Sequence, residues 1–216
     1  MFVWLIRVGD GTMIAAESQG MSEPRVIVFL KTPRPGFVKT RLAVAIGPEA
    51  ACAAYRQMAG AVLEQLAPLP HVELRYTPDD AEAEISPWLK SGWTARPQGG
   101  GDLGERMHRA CAEANGPAII IGSDCPAIAL ADILDAATAL KNHNVVVGPA
   151  TDGGYWLIGL AAPCPALFVG IAWSTDDVLK VTLAKAEAAG LSVHQLRELA
   201  DVDTVEDWER FLLPQK

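Results

Sequence analysis

Ser123 and Asp124 directly follow four apolar residues, Ala118 to Ile121, in the stretch GPAIIIGSDCP. An unbroken apolar run of that length suits a central strand of a parallel sheet, covered on both faces. In an open α/β sheet, ligands bind beyond the carboxyl ends of such strands. A carboxylate there is placed to hold a hard cation, Mg²⁺ or Mn²⁺, against a ligand's phosphates, because these ions take oxygen donors. The competing reading of Asp124 is a cap for the following helix, with Pro126 near its first turn. The stretch alone leaves the two even.

A second group lies after the first apolar run. Between Pro24 and Pro48 stand Arg25, Lys31, Arg34, Lys39 and Arg41 and no acid, in a chain of formal net charge −8. Positive charge clustered after a strand, with Gly36 freeing the backbone and a helix starting near Lys39, favours phosphate. Lys31, Gly36, Lys39 and Arg41 are therefore candidate phosphate contacts, and a solvated basic helix face is the alternative. The loop QGGGDLGERM brings Gln98, Gly100 and Asp102. Its glycines let the backbone approach a flat or anionic ligand, and the Gln98 amide offers a donor and an acceptor for a base edge or a sugar hydroxyl. Equally, Asp102 is a natural helix cap. Asp152, in TDGGYWLIGL, sits in an Asp-Gly turn that is a strong hairpin signal. It also follows a buried run, as Asp124 does, which makes it a candidate to orient or deprotonate an acceptor. In DVDTVEDW a capping box accounts for Asp203, Thr204 and Asp207; a second metal contact from Asp201 or Asp203 is the functional alternative.

The elements that must position these groups alternate along the chain. Strands are expected at Arg25 to Lys31, His71 to Thr77, Trp93 to Pro97, Ala118 to Ile121, Asn144 to Pro149, Tyr155 to Leu160 and the LSVHQL segment. Helices are expected at Pro48 to Leu66, from the QGGGDLGE loop to about Asn115, at Leu130 to Asn142, at Thr175 to Ala189 and at the C-terminus, with a surface helix or turn in DDAEAEISPWLK. That alternation predicts a single α/β domain: a Rossmann-like, mixed but mostly parallel sheet with helices on both faces. Residues 23–216 form the domain, and 1–22 read as an N-terminal extension that either adds an edge strand or precedes a start at Met21.

At 216 residues and half hydrophobic, the chain builds one full core. The acidic balance argues against non-specific nucleic-acid binding. MFVWLIRV is too short to span a bilayer and lacks the basic start of a signal peptide. Cys52, Cys111, Cys125 and Cys164 show no C-x-x-C spacing, so free thiols in a reduced cytoplasm are expected. No G-x-S-x-G elbow or Walker loop is present.

KTPRPGFVKTRL, QGGGDLGERM, IGSDCP and GPATDGGYWLIGL together, with the later WSTDDVL and DVDTVEDW, carry a resemblance across Arg25 to Phe211. The chain resembles the bacterial glycosyltransferase-A-like proteins related to phospholactate guanylyltransferase, some of them labelled arsenosugar-biosynthesis glycosyltransferases. The resemblance implies the nucleotide-diphospho-sugar transferase fold, phosphate held by the loop of Lys31, Lys39 and Arg41, and a divalent metal on Asp124. Where such enzymes carry Asp-x-Asp, Ser123-Asp124-Cys125 supplies one carboxylate. The expected partners are a nucleotide or nucleotide-sugar and a small-molecule acceptor. The expected reaction is glycosyl transfer; the alternatives are nucleotidyl transfer from a nucleoside triphosphate with release of pyrophosphate, and nucleotide binding without catalysis.

Overall fold

The computed structural model describes residues 3–7, 13–17 and 23–213. The chain's seven-stranded sheet is built from β3 (Arg25–Lys31), β4 (Val72–Thr77), β5 (Thr94–Pro97), β6 (Ala118–Ile121), β7 (Val145–Pro149), β8 (Tyr155–Leu160) and β9 (Val193–Gln195), in the order β5-β4-β3-β6-β8-β7-β9. Every pairing is parallel except those of β8, which runs antiparallel to β6 and to β7. A β7–β8 hairpin inserted into a parallel sheet gives the expected mixed sheet.

The central strands are apolar throughout because both faces are covered. Val26, Val28 and Leu30 pack with Ile119, Ile121 and Val146 on one side of the sheet. Ile27 packs with Ile120, Val147 and Ile158 on the other. Alternate residues of the same strand thus feed two separate cores. The helices α1 (Thr40–Ile46), α2 (Pro48–Gln65), α3 (Glu82–Ile85), α4 (Leu103–Glu113), α5 (Leu130–Ala139), α6 (Val178–Ala188) and α7 (Val205–Leu212) complete the layers. None of them is long and apolar enough to cross a membrane.

Three expectations change. Among the described residues, the N-terminal segment adds no edge strand to the main sheet: β1 (Val3–Arg7) and β2 (Met13–Glu17) pair antiparallel as their own two-stranded sheet. Met1 and the alternative start at Met21 lie outside the described residues. Second, α5 begins at Leu130, as expected, but the reading of Asp124 as its cap, with Pro126 near the first turn, does not hold. Its first turn is closed by Asp132, whose Oδ2 accepts from the Ala129 N–H at 2.8 Å. Asp124 is therefore no helix cap. Third, α6 begins at Val178 rather than Thr175, because Asp176 is pressed against the turn after β7. A β-carbon placed on Gly153 would come within 2.6 Å of the Asp176 Cα. The Leu179 N–H, a free donor of the first helical turn, goes to the Gly153 carbonyl at 2.9 Å.

Candidate functional site

The carboxyl ends of β3 and β6 open onto a groove of about 420 Å³. Lys31, Lys39, Arg41, Gln98, Ser123, Asp124 and Asp203 all line it, with Tyr55, Leu103 and Arg106. One strand end supplies Ser123 and Asp124. Another supplies Lys31, the last residue of β3, and the loop after it. The basic loop is stiff. Pro35 and Gly36 occupy the centre of a tight turn closed by Phe37 N–H to Arg34 carbonyl at 3.1 Å, with Gly36 at φ 82°, which a residue carrying a β-carbon rarely adopts. Arg34 is anchored on α3, its Nε 3.1 Å from Glu84 Oε1.

At the centre of the groove stands Lys39, immediately before α1 and in the left-handed region (φ 46°, ψ 50°). Its side chain is only 5% exposed, and its Nζ lies 2.9 Å from Asp124 Oδ2 and 2.8 Å from Asp203 Oδ1. Burial disfavours the charge, but the two carboxylates outweigh it and hold the Lys39 pKa above its usual value. Arg41, largely exposed, adds a looser contact of 3.6 Å to Asp203.

Asp203 arrives from far along the chain. The segment after β9 runs beside the β6 loop: the Val202 N–H reaches the Asp124 carbonyl at 3.2 Å, and the Cys125 thiol reaches the Ala200 carbonyl at 3.5 Å. The capping box of α7 is made by Thr204 and Asp207, with Thr204 Oγ1 accepting from the Asp207 N–H at 3.2 Å. That leaves the Asp203 side chain to face Lys39. Asp201 lies close by. Burial, then repulsion from Asp124, pushes its carboxyl up to about 7; Lys39 pulls the other way, and Asp152 and Asp203 add to the rise. Asp152 is thus within electrostatic reach of Asp201, but it does not line the groove. It sits in the β7–β8 hairpin turn with Oδ1 accepting from the Gly154 N–H at 2.9 Å.

The remaining candidates have structural partners. Gln98 is buried and donates both amide hydrogens, to the Leu30 carbonyl at 3.1 Å and the Arg75 carbonyl at 3.0 Å. Its Oε1 faces Arg106 Nη1 at 3.4 Å. Gln98 thus ties the glycine loop to the strand ends. Asp102 forms a full capping box with Glu105 at the start of α4. The Gly100 carbonyl accepts from Arg109 Nη2 at 2.8 Å. Ser123 Oγ shares a 2.8 Å hydrogen bond with the buried Tyr55 hydroxyl, which also accepts from the Lys31 N–H at 2.9 Å. Burial raises the Tyr55 pKa, so the phenol stays protonated. Cys125 is buried, and its thiol is pushed up to about 12, first by burial and then by Asp201, so it is no nucleophile at neutral pH. Sequence reasoning missed Tyr55, Leu103 and Arg106. Tyr55 and Arg106 read as ordinary helix residues, and nothing local in the sequence marks Leu103 as facing the groove.

Among the described residues no three His, Cys, Asp or Glu side chains are grouped to hold a metal ion. The donor set nonetheless suits Mg²⁺ or Mn²⁺. Asp124 and Asp203 present oxygens that converge on one point, and Mg²⁺ is commonly held by one or two carboxylates plus substrate phosphates.

The family model described as an uncharacterized protein conserved in bacteria (DUF2064) matches residues 62–175, just over half of the chain. A search of the curated proteins finds no match. Among solved structures, a candidate nucleotide-diphospho-sugar transferase from Desulfovibrio desulfuricans is 37% identical, with a TM-score of 0.81 over 88% of this chain and 87% of that one. A cytidylyltransferase from Leptospira borgpetersenii shares the fold at 15% identity and a TM-score of 0.58, over 89% and 88% of the two chains. So does a manganese complex of Rv0371c from Mycobacterium tuberculosis, at 14% identity and a TM-score of 0.51, over 88% and 98%. The fold is that of the nucleotide-diphospho-sugar transferases, as the motif resemblance implied, and the chain belongs to the DUF2064 family.

Proposed function

We propose that the chain is a metal-assisted transferase acting on a nucleotide-diphosphate-sugar. The observation that carries the reading is the convergence of Lys39, Asp124 and Asp203 at the carboxyl ends of the central strands, inside a groove that Lys31 and Arg41 also line. Lys31 and Arg41 bind the diphosphate. Asp124 and Asp203 are the residues that would hold Mg²⁺ or Mn²⁺, which when bound neutralises charge on the departing diphosphate. Leu103 gives the groove an apolar surface for a base or sugar ring. Tyr55 fixes the Ser123 hydroxyl at the groove wall. Asp152 orients the acceptor hydroxyl and takes its proton at Oδ2, since Oδ1 is engaged by the Gly154 N–H.

The pairing of charges within the basic loop supports this over nucleotidyl transfer. Of the five basic residues in the acid-free window, Arg25 pairs with Glu73, Arg34 with Glu84 and Asp80, and Lys39 with Asp124 and Asp203. Among the described residues, Lys31 has no ion pair and Arg41 only a loose one. Two cations and a divalent metal match a diphosphate better than a triphosphate. The same groove bearing four basic side chains is what favours the second reading, transfer of a nucleotide to a small phosphorylated acceptor. The domain is taken as residues 23–216, and the four free thiols fit a reducing cytoplasm.

Incubation with labelled nucleotide-sugars and nucleoside triphosphates, each with Mn²⁺ and a panel of acceptors, tests the proposal. Free nucleoside diphosphate marks glycosyl transfer, and pyrophosphate marks the second reading. Nucleotide binding that ignores Mn²⁺, with no turnover, returns the chain to a nucleotide-binding protein without catalysis.

A further inference from the structure

Lys39 is held more tightly than a plain phosphate contact requires. Its backbone sits in the left-handed region at a residue with a β-carbon, its side chain is almost fully buried, and its ammonium is clamped between two carboxylates that are distant from it and from each other in sequence. The two carboxylate oxygens approach Nζ at 2.9 and 2.8 Å. A divalent cation shared by Asp124 and Asp203 would claim the same point. Ammonium and metal cannot both occupy it, since like charges at that range repel strongly in a partly buried site. Yet the groove that Lys39 lines is also lined by Lys31 and Arg41, so a displaced ammonium stays within the same cleft.

We propose that Lys39 is a resident counter-ion of the Asp124–Asp203 pair, exchanged for a divalent cation when nucleotide enters. The metal takes the carboxylates, and the ammonium moves to the phosphates. The exchange rests on the reading of this groove as a nucleotide site. It makes Lys39 a positioning residue with two partners in turn, and it couples the two ligands. Metal alone binds weakly because it must displace Lys39 with no phosphate in the cleft to receive the ammonium. Nucleotide alone binds weakly because Lys39 is already engaged. Together each removes the other's obstacle, and the coupling is reciprocal.

The direct test is titration of Mn²⁺ alone, followed by electron paramagnetic resonance, on the wild-type chain and on Lys39→Met. Removing the competing ammonium is expected to tighten Mn²⁺ on the order of tenfold, within the usual span of coupling between sites. Equal or weaker Mn²⁺ binding by the variant, or no binding by either protein, overturns the exchange. A second measurement does not depend on that variant folding. In Asp203→Asn one of the two anions holding Lys39 is gone, so inorganic pyrophosphate titrated calorimetrically without metal is expected to bind several-fold tighter than to wild type. Unchanged or weaker pyrophosphate binding also overturns it. Failure of the nucleotide reading shows elsewhere, as a wild-type chain that binds no nucleotide even with Mn²⁺, while the Mn²⁺-alone titration still decides the place of Lys39.

Discussion

Gly153→Ala isolates the contact that joins the acceptor-side turn to α6. Gly153 has φ 85°, and its place in the hairpin is fixed by its own N–H to the Ala150 carbonyl at 3.1 Å and by the Leu179 N–H on its carbonyl. A left-handed conformation costs a residue with a β-carbon roughly 1–2 kcal/mol. The added methyl also meets the Asp176 backbone, within 2.6 Å of its Cα and closer still to its carbonyl oxygen. Backbone cannot swing away as a side-chain tip does, so overpacking adds about 1–3 kcal/mol. The sum is roughly 2–5 kcal/mol. For a domain of this size each kcal/mol moves Tm by about 2–4 °C. Gly36→Ala is the control: φ is 82°, but nothing lies within 4 Å of the added carbon. It is expected to cost only the conformational part, about 1–2 kcal/mol. Urea unfolding of both variants gives the comparison directly. If Gly153→Ala costs no more than Gly36→Ala, the close approach of the two loops is not a constraint on the fold, and the argument that Asp176 delays α6 falls with it.

Asp124→Asn is expected to abolish the Mn²⁺ enhancement of nucleotide binding while changing urea stability by less than about 1 kcal/mol, because Asp124 caps no helix; enhancement at the wild-type level would remove it from the metal set. Gln98→Ala strips donors from two strand-end carbonyls and is expected to cost roughly 2–4 kcal/mol in urea unfolding. A change confined to nucleotide preference would instead make Gln98 a ligand contact. Asp132→Ala loses a fork to Arg197, with Nε–Oδ1 and Nη2–Oδ2 both 2.7 Å, and the Ala129 contact. Arg197 is half exposed, so the loss is about 1–3 kcal/mol at neutral pH. Burial alone would raise the Asp132 pKa, but the Arg197 and Ala129 hydrogen bonds and the Arg197 charge hold it below its usual value. Its contribution is therefore complete above an unfolded pKa of about 3.9 and fades as pH falls through the lower folded value. Wild-type and variant stabilities are expected to converge in acid; a gap that stays constant with pH would deny the charge its part.

What was legible in the sequence was whatever a local pattern encodes. The apolar runs Arg25 to Lys31 and Ala118 to Ile121 are strands because neither face meets water, and a run without alternation says so. The Asp102–Glu105 and Thr204–Asp207 boxes are readable because both partners lie three residues apart. The start of α5 at Leu130 was legible, but its cap was not, because Asp-Cys-Pro mimics a cap and a first turn. The working closure, Asp132 reaching back to Ala129, is an equally local pattern that Ala at the capping position disguises. Charge was the least legible quantity. Arg34 and Lys39 look alike in an acid-free window, yet one is anchored on Glu84 and the other on Asp124 and Asp203. Those acids lie on other elements, brought in by the strand order and by the return of the chain beside the β6 loop. A surplus of positive charge counted along the chain is therefore not a surplus in space. The missing second carboxylate of Asp-x-Asp shows the same thing with the opposite sign. Position 125 holds a buried thiol, and the acid that shares a cation with Asp124 comes from Asp203, through the ammonium of Lys39. Local spacing can name the chemistry a residue is capable of, but only topology decides which other residue it is done with.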